Sequence, residues 1–171
     1  MSRRLNILSR YQRGFTLYEM LVSLAILGVI IPVIGTSIFQ VLSINTLTGN
    51  HLTAVRQVEN AIYRISRDVQ TAQTVQIGGG SGFPLNLLWV EWDNTSNNVT
   101  YTIQNGELWR ANSVNGGQPT SVVVAQHINS DPGMTNMQFQ SGMLTFKVTA
   151  SLGGFKPASE TRIGKIFPKA Q

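Results

Sequence analysis

The feature that most constrains this chain is a run without Lys, Arg, Asp or Glu from Met20 to Asn50, of which Met20–Leu42 is almost wholly apolar. About 20 apolar helical residues span the hydrocarbon core of a bilayer, so the run predicts a helix that enters a membrane at some stage. Ahead of it stand Arg3, Arg4, Arg10 and Arg13, with no acid in residues 1–14. That asymmetry places residues 1–14 in the cytoplasm and everything after the helix outside, making the chain single-pass. The same arginines explain the apparent basicity. Of 13 basic residues 4 lie in the leader, which leaves 9 against 8 acidic ones in the remainder. The net charge of +5 is therefore no footprint for nucleic acid, and direct nucleic-acid binding is not expected.

Two plain readings of this N-terminus each leave something over. A secretory signal is cut after its apolar core at an A-x-A-like site, and no convincing one lies between Ile31 and Asn50. A plain anchor accounts for the length but not for Glu19, the only Asp, Glu, Lys or Arg between Arg13 and Arg56. A carboxylate in a membrane helix costs about 2.5 kcal/mol or more near the bilayer centre and less toward the interface. Glu19 is thus a functional candidate, the alternative being a side chain that snorkels to the headgroups.

Gly14-Phe15-Thr16-Leu17-Tyr18-Glu19, between the basic leader and the apolar run, resembles the processing site of type IV prepilins and type II secretion pseudopilins at every motif position. The resemblance implies that a prepilin peptidase/N-methyltransferase cuts between Gly14 and Phe15. Phe15 then becomes N-methylphenylalanine, and Glu19 is the motif carboxylate. Elementary electrostatics agrees with this assignment. An ammonium freed on Phe15 and buried among apolar helices needs a counter-charge, and Glu19 of a neighbouring subunit supplies it, with a penalty for stranding either partner. Gly14 and Phe15 are the candidate processing residues, and Phe15 and Glu19 the candidate assembly residues.

The boundaries follow from pattern. Residues 1–14 form a cleaved leader and 15–44 the transmembrane or assembly helix. Pro32, flanked by Gly28 and Gly35, predicts a bend or local opening in it. Residues 45–76 continue as an amphipathic helix, because Val55, Val58, Ile62, Ile65, Val69 and Ala72 recur at spacings of 3, 4, 3, 4 and 3. Arg56, Glu59, Arg64, Arg67 and Asp68 fall on its other faces. The helix is expected to end near Thr74–Gln76, before a Gly-rich linker at 77–84.

Residues 85–171 read as an extracytoplasmic β-region. Leu85–Trp92, Val99–Ile103, Glu107–Ala111, Ser121–Ala125, Met134–Phe139 and Met143–Ala150 are rich in branched and aromatic residues. Asn105-Gly106 signals a type I′ hairpin, and Ser141-Gly142 is a second, weaker signal. The predicted fold is α+β, one long N-terminal helix packed on a mostly antiparallel sheet, which is also the layout that the pilin resemblance implies. With no cysteine, the exported part is held by its core or by packing in an assembly. Arg64–Ala72, Val99–Ile103 and Gly106–Arg110 further resemble minor subunits, J-type pseudopilins and W-type minor pilins.

Catalysis has little support. His51 and His127 stand in unrelated contexts, and no nucleophile elbow, zinc-protease or phosphate-loop pattern occurs. Glu91 and Asp93 are expected on one side of a strand near Asn94 and Asn98, where a solvated face outweighs a Ca²⁺ site. Of Trp89, Trp92 and Trp109, at least two are expected in the core. The sequence therefore predicts a minor pilin or pseudopilin, not an enzyme and without a cofactor. It would assemble into or prime a type IV pilus-like filament serving adhesion, secretion or DNA uptake. Its implied partners are the prepilin peptidase, other pilins, an inner-membrane assembly platform and membrane lipid. The alternative is a membrane-anchored extracytoplasmic binding module.

Overall fold

The computed structural model describes residues 14–154 and 156–169. The leader's four arginines lie outside the described residues. The chain divides into two units at Ser43 and Ile44, and helix α1, Leu17–Thr71, runs through that division. In the first unit every residue from Gly14 to Leu42 is exposed, and this part of α1 is long and apolar enough to cross a membrane. Helix α1 runs unbroken through Pro32. One turn on, the Thr36 and Ser37 hydroxyls both donate to the Val33 carbonyl, at 2.9 and 2.8 Å. The expected local opening is not seen.

In the second unit, the remainder of α1 packs on two antiparallel sheets. Strands β1 (Thr74–Ile77), β2 (Leu85–Val90), β3 (Ser96–Gln104), β4 (Glu107–Val114) and β5 (Thr120–Ala125) form the first, in that order. Strands β6 (Asn136–Gln140), β7 (Met143–Leu152) and β8 (Ala158–Ile166) form the second. The Met137 N–H donates to the Ser81 carbonyl at 2.8 Å, joining β6 to the β1–β2 loop. One core cluster takes Ala54, Val58, Ala61 and Ile65 from α1. Leu87, Val99 and Tyr101 join it from the first sheet, and Leu144, Phe146 and Val148 from the second. Both expected hairpins form. Asn105 and Gly106 have φ of 51° and 76°, Ser141 and Gly142 φ of 52° and 75°, the left-handed pairs a type I′ turn requires.

Three expectations need correction. Helix α1 stops at Thr71, and Thr74–Ile77 is β1, paired with Leu85–Leu88. The glycine-rich segment is consequently the loop of a β1–β2 hairpin rather than a linker, closed by the Gly78 N–H donating to the Gly82 and Pro84 carbonyls at 3.1 and 2.9 Å. Strand β8, with Ala158–Ile166 paired to Leu144–Leu152, was not anticipated. Finally, the buried stripe of α1 is Ala54, Val58, Ala61, Ile65, Asp68 and Val69. It is turned from the expected one, so that Val55 and Ile62 lie at its margin and Asp68 lies within it.

Candidate functional site

The candidate processing and assembly residues, Gly14, Phe15 and Glu19, stand at the start of α1. Thr16 is its N-cap. The Glu19 carboxylate Oε2 accepts the Thr16 N–H and the Thr16 hydroxyl, both at 3.0 Å, and the Glu19 N–H donates to Thr16 Oγ1 at 3.3 Å. This is a capping box, Thr-x-x-Glu, in which two residues satisfy each other's orphan donors at the helix N-terminus. The amide dipoles there also favour a negative charge. The pattern is legible in Thr16-Leu17-Tyr18-Glu19 as a Thr-x-x-Glu spacing.

The structure thus joins Glu19 to Thr16, and among the described residues no hydrogen bond joins its carboxylate to Gly14 or Phe15. It does place the carboxylate on the residue directly following Phe15. Packing asks nothing of Gly14, where an added Cβ meets no atom within 4 Å, and Phe15 is 83 % exposed.

A second polar constellation, missed in the sequence, lies within the second unit. Asp68 Oδ2 accepts both the Tyr101 hydroxyl and Arg110 Nε–H at 2.6 Å, and Asp68 is 7 % exposed. Burial, reinforced by the adjacent Asp68 carboxylate, pushes the Tyr101 phenol far above its ordinary value. Burial disfavours the Arg110 cation, yet the hydrogen bond and charge of Asp68 prevail and raise its pKa. The signal was available. Asp68 follows Ile65 by three residues and precedes Ala72 by four, the spacing of the buried face. The cluster ties α1 to β3 and β4 and presents no reacting group to solvent.

Residues 91–95 are a turn, not the strand face expected for Glu91 and Asp93, because β2 ends at Val90. The Glu91 N–H donates to the Thr95 carbonyl at 2.9 Å, and Glu91 Oε1 accepts Asn97 Nδ2–H at 3.1 Å. Asp93 accepts the Thr95 N–H at 2.9 Å, which holds its carboxyl below the usual value. Both acids are thereby committed to the turn, and no group of three or more His, Cys, Asp or Glu with metal-binding placement occurs among the described residues. The tryptophan expectation is also corrected. Trp89 packs against the core, Trp109 is half-buried, and Trp92 is 95 % exposed at the tip of the turn.

A capped, exposed apolar helix followed by a packed helix-and-sheet unit defines an α+β protein whose N-terminal helix is long and apolar enough to cross a membrane. More particularly, residues 9–31 match the model of the prokaryotic N-terminal methylation motif, so that the chain carries a type IV prepilin-like motif and is pilin-like at its N-terminus. A motif of this kind implies processing by a prepilin peptidase and assembly with other pilins. Comparison with the curated proteins and with the solved structures gave no match.

Proposed function

We propose that the protein is a minor pilin or pseudopilin, a structural subunit that enters or primes a type IV pilus-like filament after cleavage between Gly14 and Phe15. The observation that carries this reading is the capping box, which holds the Glu19 carboxylate on Thr16, next to the residue whose amine cleavage would free. The 83 % exposure of Phe15 leaves the junction open to a peptidase. The apolar part of α1, exposed along its whole length to Leu42, needs lipid before assembly and neighbouring helices after it. In this reading the Phe15 ammonium and the Glu19 carboxylate of adjacent subunits fix the axial stagger, since an unpaired buried charge is costly. The platform in the inner membrane and the other pilins are the partners, and no cofactor is involved.

The J-type pseudopilin and W-type minor pilin are the subtypes that Arg64–Ala72, Val99–Ile103 and Gly106–Arg110 resemble. A second reading, an anchored binding module, rests on the turn that holds Trp92 fully in solvent. Intact-mass and N-terminal analysis of the protein from its membrane or sheared-filament fraction separates the two. A chain beginning at methylated Phe15, and only where an active prepilin peptidase is present, is the expected result. An uncut chain, or one cut beyond the apolar run, leaves the anchored module.

A further inference from the structure

The five-stranded sheet ends at β5, and the outer side of that strand is bare. Among the described residues no hydrogen bond reaches the far side of Thr120–Val124, whereas the Gln126 N–H just beyond is taken by Gln57 Oε1 at 2.8 Å. Thr120–Val124 carries neither charge nor proline, and its first four residues are exposed. Folded proteins normally blunt such edges, because a row of unpaired N–H and C=O groups is a template for another strand. The same molecule shows the usual remedy at β8. That strand carries Glu160, Arg162 and Lys165, and its Arg162 is tied to Glu59 of α1 at 2.8 Å.

The flank beside β5 sets what an added strand would meet. Asn60, Tyr63 and Arg64 of α1 line a groove of about 230 Å³ with Val122, Val123 and Val124, and Tyr63 is 66 % exposed. Arg56, Asn60, Arg64 and Arg67 recur at spacings of 4, 4 and 3 and so share one helix face. None of these three arginines has an ion-pair partner among the described residues. A bare, uncharged strand edge therefore runs beside Arg64, on a helix face that also carries Arg56 and Arg67 without ion-pair partners among the described residues.

We propose that β5 accepts an extended segment of a second, different polypeptide as a sixth strand, with carboxylates on its α1-facing side paired to Arg64 and Arg67. Main-chain pairing supplies the affinity and the alternate side chains the specificity, as in other strand-addition complexes. A second copy of β5 is a poor occupant, because Thr120–Ala125 brings no carboxylate to the arginines. The proposal concerns what the folded unit holds and stands independently of how the N-terminus is processed.

The test uses the full chain in detergent micelles and three fluorescent heptapeptides. The first is Thr-Glu-Val-Glu-Val-Glu-Thr, the second has lysine for glutamate, and the third has proline for valine. The first should bind at least about tenfold more tightly than the lysine peptide, since like charges across an interface are strongly disfavoured. The proline peptide keeps the charge but loses backbone pairing and should bind about as weakly. Hydrogen exchange should show new protection confined to Thr120–Val124. Arg64→Glu with Arg67→Glu should reverse the preference between the glutamate and lysine peptides, with an unchanged melting temperature. Equal binding of the glutamate and proline peptides would reduce the effect to charge attraction and overturn the proposal. So would no binding, or protection of Thr120–Val124 that rises with protein concentration alone.

Discussion

The Tyr101 hydroxyl donates to Asp68 Oδ2 at 2.6 Å across 33 positions of sequence, and Arg110 Nε–H converges on the same oxygen at the same distance. Helix and sheet are thus joined by one carboxylate with two donors. The Arg110 and Asp68 side chains are 13 % and 10 % exposed, so solvent does little to replace a lost partner.

Asp68→Ala removes the counter-charge of a largely buried guanidinium and should cost about 3 kcal/mol. Tyr101→Phe removes one hydrogen bond to a charged acceptor and should cost about 1.5 kcal/mol. Glu59→Gln, which breaks an ion pair whose side chains are 52 % and 44 % exposed, should change stability by less than about 0.5 kcal/mol. Denaturant unfolding of the full chain checks the order. A Glu59 variant that costs as much as the Asp68 variant would mean burial is not what makes the Asp68 pair matter.

The same cluster predicts an alkaline limit. The Tyr101 phenol is raised above its ordinary value by burial and by Asp68, so the folded chain holds this proton where the unfolded chain releases it. The stabilisation is fully present below the ordinary tyrosine range, near pH 10, and declines as pH rises beyond it. Unfolding midpoints of the wild type should fall on going from about pH 9 to about pH 11, and Tyr101→Phe should flatten that fall. Parallel curves for the two proteins would remove Tyr101 as its source.

Gly164 of β8 lies directly opposite Phe146 of β7, and a Cβ at 164 would run into the Phe146 ring. The phenyl group covers the space that any other residue would fill, and Phe146 is fully buried in the core. Gly164→Ala should therefore destabilise by about 2 kcal/mol through overpacking. Gly142→Ala instead meets no atom within 4 Å but has φ of +75°, so its cost is backbone strain of about 1 kcal/mol. Thermal melts of both variants test the order, and an equal effect would locate the Gly164 requirement elsewhere.

Period and turn chemistry explain what the sequence allowed. The two hairpins were legible because Asn-Gly and Ser-Gly take left-handed pairs of φ angles cheaply, and the strands beside them are rich in branched residues. Strand β8 was not, because Glu160, Arg162, Gly164 and Lys165 give it no branched or aromatic run, and only pairing with β7 makes it a strand. Strand β1 is four residues long beside a glycine run, too short for its own signal. The apolar face of α1 was read from large residues, Val55 and Ile62, whereas close approach to the sheets favours the small Ala54 and Ala61. That choice displaced the stripe and put Asp68 on the wrong side. At the N-terminus, Gly14, Phe15 and Glu19 were visible as a motif, but the cap that organises Glu19 requires reading Thr16 and Glu19 as a reciprocal pair.

Glu19 has two roles that substitution can separate. In the capping box it satisfies Thr16, and loss of a cap costs about 1 kcal/mol, too little to unravel a helix of 55 residues. In a filament it would supply the counter-charge for the Phe15 ammonium, and losing that strands a buried cation at several kcal/mol. Glu19→Gln keeps a residue able to serve the capping box while removing the charge, and Glu19→Ala removes both. The assembly reading predicts that the two variants are cut at Gly14 as efficiently as the wild type and are both lost from sheared filaments. If Glu19→Gln enters filaments normally and only Glu19→Ala fails, the cap is what assembly needs. If Glu19→Ala enters at the wild-type level, Glu19 has no part in assembly.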